Sequence, residues 1–119
     1  MTFEEELAIC QQNMDKYYSQ ILNKYKHDIS KAVYCGRGSI WGNQFTHLKN
    51  TTAQNVVGSR EEAVVMHRRQ FIADLKANKI NIAELIKLAD KECYCYCAPQ
   101  LCHLSTIIAA AHYYKSLQQ

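Results

Sequence analysis

Glycine, proline and uncharged apolar runs are all scarce in this chain. It has 4 Gly and 1 Pro among 119 residues, and no repeat, low-complexity tract or linker is visible, so its composition is typical of an ordinary globular domain. The longest stretch without a charged side chain, residues 93–114, is interrupted by Pro99, Gln100, His103 and His112. It therefore lacks the roughly 20 apolar residues of a membrane-spanning helix, and we expect one domain that does not enter a membrane.

A basic and apolar leader is also missing from the N-terminus, which instead carries acidic residues at positions 4–6. Because a secretory signal begins with basic and then apolar residues, we expect the protein to stay in the cytoplasm where it is made. In that reducing compartment the 6 cysteines are expected to be packed, reactive or metal-bound thiols rather than disulfides.

The net charge is modest and unevenly distributed. It is formally +3, with five acidic and three basic side chains in residues 1–30 and six acidic and eleven basic ones in residues 31–119. This positive excess suits a small anionic ligand, whereas an extended nucleic acid normally requires a denser basic stripe.

Residues 3–27 are predicted to form one N-terminal amphipathic helix, because apolar side chains recur at spacings of four and three. These side chains are Phe3, Leu7, Cys10, Met14, Tyr17 and Ile21. Thr2 and Glu5 form a capping box at its start. We divide the chain into this helix (residues 1–30) and a small α/β domain (residues 31–119), on which the helix packs. A homo-oligomer or a partner protein held through the helix is left open.

The rest of the chain alternates strands and helices. Residues 32–35 and 92–97 are predicted strands, and the capping residues Ser59 and Asn81 begin two helices between them. A last helix follows Pro99, which ends the second strand. This order is typical of a βαβ unit, so the predicted fold class is α/β with a small parallel sheet.

Ligands bind beyond the carboxyl ends of parallel strands, and two unusual segments lie there. The first follows Cys35 and begins a predicted loop of residues 36–57. Its candidate ligand-binding residues are Arg37, Gly38, Ser39, Trp41 and Asn43. Glycine allows close backbone approach, arginine pairs with phosphate and tryptophan offers a stacking surface, so together they indicate a nucleotide-like anion. The alternative is a tight turn in which Trp41 anchors the core, and no P-loop pattern is present.

The second segment contains the alternating Cys93, Cys95 and Cys97, followed by Cys102 and His103 at a helix entrance. A helix N-terminus and a neighbouring imidazolium both favour the thiolate, so Cys102 and His103 are the candidate catalytic residues. Adjacent side chains at a helix start diverge, however, and these cysteines also suit core packing, which we favour for Cys93. Whether the protein is an enzyme is left open.

Zinc is a third interpretation of the second segment. Its ligands would be Cys95 or Cys97, Cys102, His103 and an upstream cysteine, Cys10 or Cys35. The spacing lacks the paired C-x-x-C units of familiar zinc fingers, so no metal ligand is assigned and the cofactor is left unknown. The remaining histidines are scattered and are expected at the surface or half-buried: His27, His47, His67 and His112.

These segments resemble a family of small domains of unknown function found often in bacteriophage genomes. The family pattern combines an Arg-rich turn with Trp-Gly-Asn-Pro-Phe, then Gly-Ser-Arg-Glu-Glu-Ala, then Cys-x-Cys-x-Pro-x-x-Cys-His. The chain matches it at Trp41, Gly42, Asn43 and Phe45, at residues 58–63, and at Cys95, Cys97, Pro99, Cys102 and His103. The resemblance covers about residues 32–110 and leaves out the N-terminal helix.

The chain departs from the family pattern at Gln44, where proline is usual, and at Leu104, where glycine is common. The first departure makes the turn less rigid and the second crowds the helix entrance, so both point to a changed ligand. The resemblance implies a phage protein in the cytoplasm of the host cell, and it implies no activity.

Three functions follow from these observations. The first is an accessory protein that holds a nucleotide-like small molecule between the loop after Cys35 and the helix entrance, with a counter-defence role in sequestering a host nucleotide signal. The second is a nucleotide- or nucleoside-processing enzyme that uses Cys102 and His103, although neither segment contains a carboxylate for glycosidic-bond chemistry. The third is an interaction module that blocks a host protein through the N-terminal helix.

Overall fold

The computed structural model describes residues 1–36, 39–43, 45–46, 55–56, 58–98 and 100–118. The helices and strands of these residues are, in chain order, α1 (Phe3–Lys16), β1 (Ile21–Asn23), β2 (Val33–Tyr34), β3 (Phe45–Thr46), β4 (Asn55–Val56), α2 (Arg60–Lys76), α3 (Ile82–Lys87), β5 (Cys93–Cys95) and α4 (Leu104–Ser116). Short 3-10 turns precede β1 and β5, at Tyr18–Gln20 and Leu88–Asp90.

A three-stranded parallel sheet combines the first two strands with the last. β5 lies in the middle and pairs in parallel with β1 on one side and β2 on the other. The α2 and α3 helices connect β2 to β5, which is the crossover that parallel neighbours require. The predicted α/β class and the parallel pairing of the two predicted strands are confirmed.

The N-terminal helix ends at Lys16, earlier than predicted. The prediction of a helix through residue 27 is wrong because β1 occupies Ile21–Asn23 and its backbone pairs with β5. All three residues of β1 are buried, so the strand shows no polar and apolar alternation by which it could be recognised. Pairing between distant segments outweighs the helical spacing that continues from Tyr17 to Ile21.

The three helix starts predicted from capping residues are confirmed. The Thr2 hydroxyl accepts a hydrogen bond from the N–H of Glu5, and the Glu5 carboxylate accepts one from the N–H of Thr2. Ser59 caps α2 and Asn81 caps α3, each by accepting a hydrogen bond from an N–H three residues later. Such caps are local, so the sequence alone predicts them.

The buried side of the sheet faces the helices. Cys93 and Cys95 are buried in one apolar core with Ile107 and Ile108 of α4. Tyr94, between the two cysteines, is only half-buried. The predicted alternation is therefore confirmed over residues 93–95, as is the core position of Cys93, and Cys97 lies past the end of the strand.

The N-terminal helix packs on its own chain, as predicted. It contacts α2 and α4 and buries Cys10 and Met14. Glu6 on the same face is also buried, and its carboxylate forms ion pairs with Arg68 and Arg69 of α2 at 2.8 and 2.7 Å. A charged group is thus tolerated in this interface because it is paired.

The predicted loop of residues 36–57 is not uniformly irregular. It contains β3 and β4, which pair with each other in parallel as a separate two-stranded sheet. The loop prediction is therefore wrong at these short strands. None of the helices in the described part of the chain has the length and the apolar character needed to span a bilayer.

Candidate functional site

The two segments that were predicted to converge are joined by a hydrogen bond. The Nε2 atom of His103, at the start of α4, lies 2.7 Å from the main-chain oxygen of Cys35, just after β2. Because a carbonyl oxygen only accepts, the ring nitrogen donates. The loop after β2 and the turn after β5 therefore lie together, as the pairing of these strands requires.

The loop of residues 39–43 is held by its own side chains. The Ser39 hydroxyl donates to the main-chain oxygen of Gly36 at 2.7 Å and accepts from the N–H of Trp41 at 3.3 Å. The Trp41 side chain is 9% exposed and belongs to the core. Trp41 thus serves as the core anchor of the alternative interpretation, and it also lines a cleft against α2.

The other predicted ligand-binding residues differ in what the structure describes. The Asn43 side-chain amide donates to the main-chain oxygen of Ala63 in α2 at 3.1 Å, which fixes the loop against that helix. Arg37 and Gly38 lie outside the described residues. A direct role of these residues in binding stays a prediction.

A cleft of about 240 Å³ lies between this loop and α2. The side chains that line it include Trp41, His67, Gln70, Phe71, Asp74 and Lys79. Ligand pockets commonly measure roughly 300–1,000 Å³, so this cleft suits one planar ring system with a short substituent rather than a large cofactor.

His67 is the residue of this cleft that the sequence analysis missed. It is 7% exposed, so its expected position at the surface or half-buried is wrong. Its Nδ1 atom has no hydrogen-bond partner among the described residues. Burial above all, with repulsion from the protonated form of His103 second, holds the pKa of His67 well below its usual range, so the ring is neutral. Its spacing of four residues from both Ala63 and Phe71 was the available indication of burial.

Three sulfur atoms meet beside the cleft, and we name Cys95, Cys97 and Cys102 the thiol cluster. Their Sγ atoms all lie within 4.8 Å of one another. The Sγ atoms of Cys95 and Cys102 are 2.9 Å apart, and that of Cys102 lies 3.4 Å from Nδ1 of His103. The expectation that the side chains of Cys102 and His103 diverge is therefore wrong. The rings of His103 and His67 pack edge to face at 5.2 Å, so the cluster and the cleft adjoin.

The turn that carries the thiol cluster is fixed from β1. The side-chain amide of Asn23, the last residue of β1, donates to the main-chain oxygens of Tyr96 and Ala98 at 3.1 and 2.8 Å. The N–H of Lys24 donates to the oxygen of Cys95 at 3.0 Å. The strand that sequence reasoning missed is thus the one that positions the cysteines.

The thiols of the cluster differ in electrostatic environment. Burial raises the pKa of Cys102, and its contacts with the thiols of Cys95 and Cys97 raise it further. Hydrogen bonds from Cys102 and Cys95 lower the pKa of Cys97, with a further contribution from the positive charge of Arg60. The half-buried Cys97, rather than the predicted nucleophile Cys102, is therefore the thiol that this site favours as an anion.

Comparison with known proteins identifies relatives of the chain. A family model described as "Domain of unknown function (DUF4326)" matches residues 20–113, a range that includes β1 and excludes α1. A protein of Enterobacteria phage T4, described as an uncharacterized 12.4 kDa protein in the nrdA-td intergenic region, is 32% identical over 84 residues, which cover 71% of this chain and 68% of that protein. No solved structure gives a significant match.

Proposed function

The chain belongs to this family of domains of unknown function, and we propose that it is a phage-type accessory protein that binds a nucleotide-like small molecule in the cleft between the 39–43 loop and α2. The observation that carries the proposal is the buried His67, whose Nδ1 atom lacks a hydrogen-bond partner among the described residues and whose side chain lines the cleft. A ligand that pairs with this atom would remove the penalty of its burial, about 1–3 kcal/mol.

The ring system of a nucleobase matches the chemistry of the side chains that line the cleft. Trp41 and Phe71 offer aromatic surface to a planar group. The neutral His67 ring presents one donor and one acceptor nitrogen, and the edge of a nucleobase carries both kinds of group. The base is therefore expected to lie in the cleft with its polar edge toward His67.

Charged and polar side chains of α2, and of the residues that follow it in the chain, suit the ribose and phosphate groups of a nucleotide. Asp74 lines the cleft, where Gln70 donates a hydrogen bond to its carboxylate at 2.9 Å. A carboxylate accepts hydrogen bonds from ribose hydroxyls, as it does in dinucleotide-binding folds. Lys79 also lines the cleft and contributes a positive charge there. Arg37 is expected to bind phosphate.

The biological role that we propose follows from the phage relationship. The T4 relative supports a role of this chain during infection, in the cytoplasm of the host cell. A cleft that takes one nucleotide without a catalytic group would suit sequestration of a host nucleotide signal, which is a form of counter-defence.

Binding is favoured over turnover and over protein interaction by two observations. Burial raises the pKa of Cys102, which opposes its action as a thiolate nucleophile. The face of α1 that bears Cys10 and Met14 is already covered by its own chain, so an interaction module would have only the remaining faces of that helix.

Native mass spectrometry of the full chain, compared with its denatured mass, would identify a retained nucleotide. A thermal-shift panel of nucleoside mono-, di- and triphosphates then tests affinity, because a ligand at 100 times its Kd stabilises the fold by about 2.7 kcal/mol. Loss of Nδ1 in His67→Phe is expected to weaken binding by at least about fivefold. Equal affinity of this variant and the wild type, or no shift with any nucleotide, would contradict the proposal.

The matched control is His112→Phe. His112 stacks on Tyr17 with ring centroids 4.7 Å apart and does not line the cleft. The same replacement there removes an imidazole without touching the proposed ligand, so the affinity of this variant is expected to equal that of the wild type. A nucleotide that the protein converts during the assay would instead favour the enzyme alternative.

A further inference from the structure

The thiol cluster has a geometry that apolar packing does not require. Cys10, Cys35 and Cys93 show that this chain buries other cysteines as small core side chains. In the cluster, by contrast, three Sγ atoms lie within 4.8 Å of one another, and the side chain of Cys97 is only half-buried. Thiols in such proximity form the kind of ligand set that binds a soft or borderline metal ion.

The spacing of these sulfurs suits zinc. With Zn–S bonds of about 2.3 Å, two sulfurs of a tetrahedral site are about 3.8 Å apart. The three sulfurs of the cluster are close enough to bind one such ion. The 2.9 Å between the sulfurs of Cys95 and Cys102 must widen by about 0.9 Å to reach that separation, which small rotations about the Cα–Cβ bonds achieve.

His103 has the arrangement of a metal-ligating histidine. Its Nε2 donates to the main-chain oxygen of Cys35 at 2.7 Å, so in the neutral ring Nδ1 carries the lone pair. That Nδ1 lies 3.4 Å from the sulfur of Cys102 but not within 4.8 Å of all three sulfurs, so the ring must shift toward Cys95 and Cys97 to complete the site. Ligating histidines usually donate their second ring nitrogen to a carbonyl or carboxylate in this way, which fixes the tautomer and the ring orientation.

The surroundings of the cluster also support bound thiolates. The N–H of Cys97 donates to the sulfur of Cys95 at 3.4 Å, and hydrogen bonds of this kind stabilise negative charge on sulfur. Arg60, at the start of α2, acts on Cys97 with its positive charge. Asn23 holds the intervening turn through two main-chain oxygens, so the backbone that carries Cys97 is held in place before an ion arrives.

We propose that the thiol cluster and His103 bind one Zn²⁺ in a closed tetrahedral site. All three sulfurs are thiolates in the bound state, and each proton still carried by a thiol is released to solvent, so the site with a neutral imidazole carries a net charge of −1, beside Arg60. Four protein ligands leave no open position, which makes the ion structural rather than catalytic. The bound ion links the end of β5 to the start of α4. Because His103 also donates to the main-chain oxygen of Cys35, the end of β2 is connected to the same site. The proposal does not rest on the ligand cleft.

Metal content of the full chain tests this proposal without any nucleotide. We expect one zinc per chain by elemental analysis and native mass spectrometry of protein purified with a phosphine reductant, and a lower melting temperature after removal of zinc by a chelator. Titration of the metal-free protein with Co²⁺ should produce thiolate-to-cobalt charge-transfer absorption and the visible bands of a tetrahedral site. Reduced wild-type protein that binds neither ion, or a Cys95–Cys102 disulfide that persists in it, would overturn the proposal.

Cys97→Ser is the informative variant because this side chain is half-buried and its replacement is expected to leave the fold intact. Loss of groups outside the direct ligands commonly costs roughly 10- to 100-fold in metal affinity, so loss of a ligand is expected to cost more than about 100-fold. Cys93→Ser makes the same change within β5 and outside the cluster, and it should retain the wild-type affinity. Equal zinc affinities of Cys97→Ser and the wild type in competition with a chromophoric chelator would refute the assignment.

Discussion

His103 and Cys35 are joined by a 2.7 Å hydrogen bond from the imidazole Nε2 to a main-chain oxygen. The bond connects the start of α4 to the end of β2. The same imidazole contacts the sulfur of Cys102 on one side and the ring of His67 on another. One buried side chain therefore links the thiol cluster, the sheet and the proposed ligand cleft.

Replacement of His103 by Phe is expected to destabilise the metal-free protein by about 1–3 kcal/mol, because it leaves the buried carbonyl of Cys35 without its donor. Urea unfolding in the presence of a chelator measures this loss separately from any effect of zinc. His103→Gln retains an amide donor and should lose less. Equal stability of the Phe and Gln variants would show that the hydrogen bond contributes nothing.

The features of this chain that the sequence predicts correctly are local. Thr2, Ser59 and Asn81 cap helices through hydrogen bonds that span three residues, so a short sequence pattern contains all that is needed. The alternation of Cys93, Tyr94 and Cys95 likewise reflects a strand with one buried face. These patterns place the parallel β2–β5 pair and therefore the region of the site.

The features that the sequence does not predict depend on contacts between residues that are far apart in the chain. β1 has three residues, all buried, and only its pairing with β5 distinguishes it from another turn of helix. The meeting of Cys102 with Cys95 depends on the turn that Asn23 holds. His67 packs against the ring of His103, a residue far from it in the chain, and within α2 its spacing from Ala63 and Phe71 was the indication of burial.

The ion pairs of Glu6 predict a loss of stability in acid. Hydrogen bonding and charge from Arg69, assisted by Arg68, hold the pKa of Glu6 below its usual value despite burial. Because the folded pKa lies below that of the unfolded chain, about 4.3, the contribution is complete above that value and is lost as the pH falls through the folded pKa. Urea unfolding as a function of pH should show this decline, and Glu6→Gln should show a smaller one.

At neutral pH, Glu6→Gln is expected to cost about 1–3 kcal/mol, since Arg68 loses its charged partner in a buried interface while Arg69 is partly exposed to solvent. The matched control is Glu4→Gln, an exposed acid on the same helix, with an expected change below about 0.5 kcal/mol. Similar losses in the two variants would show that charge at the helix start, and not the ion pair, is responsible.

Gly36 is required by the position of the Tyr34 ring. A Cβ atom on Gly36 would lie 2.5 Å from Cε1 of that ring, and the ring packs against Tyr94 and Tyr96 with centroids 5.2 and 6.1 Å away. Gly36→Ala is therefore expected to destabilise the protein by about 1–3 kcal/mol, because the ring must move out of its packing.

A double-mutant cycle isolates this contact. In a Tyr34→Leu background the added methyl group of Gly36→Ala meets no ring, so its cost should fall by at least about 0.5 kcal/mol. Gly58→Ala is the control, because its Cβ would meet only the end of the flexible Glu62 side chain, at 3.1 Å. Additive effects of the Tyr34 and Gly36 substitutions would rule out the steric explanation.

Deletion of residues 1–28 is expected to abolish cooperative unfolding, because it removes β1 together with α1. β1 pairs with one edge of β5, and Gln20 just before it donates hydrogen bonds to the main-chain oxygens of Ala89 and Lys91 at 2.9 and 3.0 Å. Deletion of residues 1–17 removes α1 but keeps these contacts, so it should retain a cooperative though weakened transition in urea. The denaturant slope m, which scales with the surface exposed on unfolding, measures the difference. A wild-type-like transition in the 1–28 deletion would show that β1 is dispensable, and only then could that deletion test the N-terminal helix as a separate interaction module.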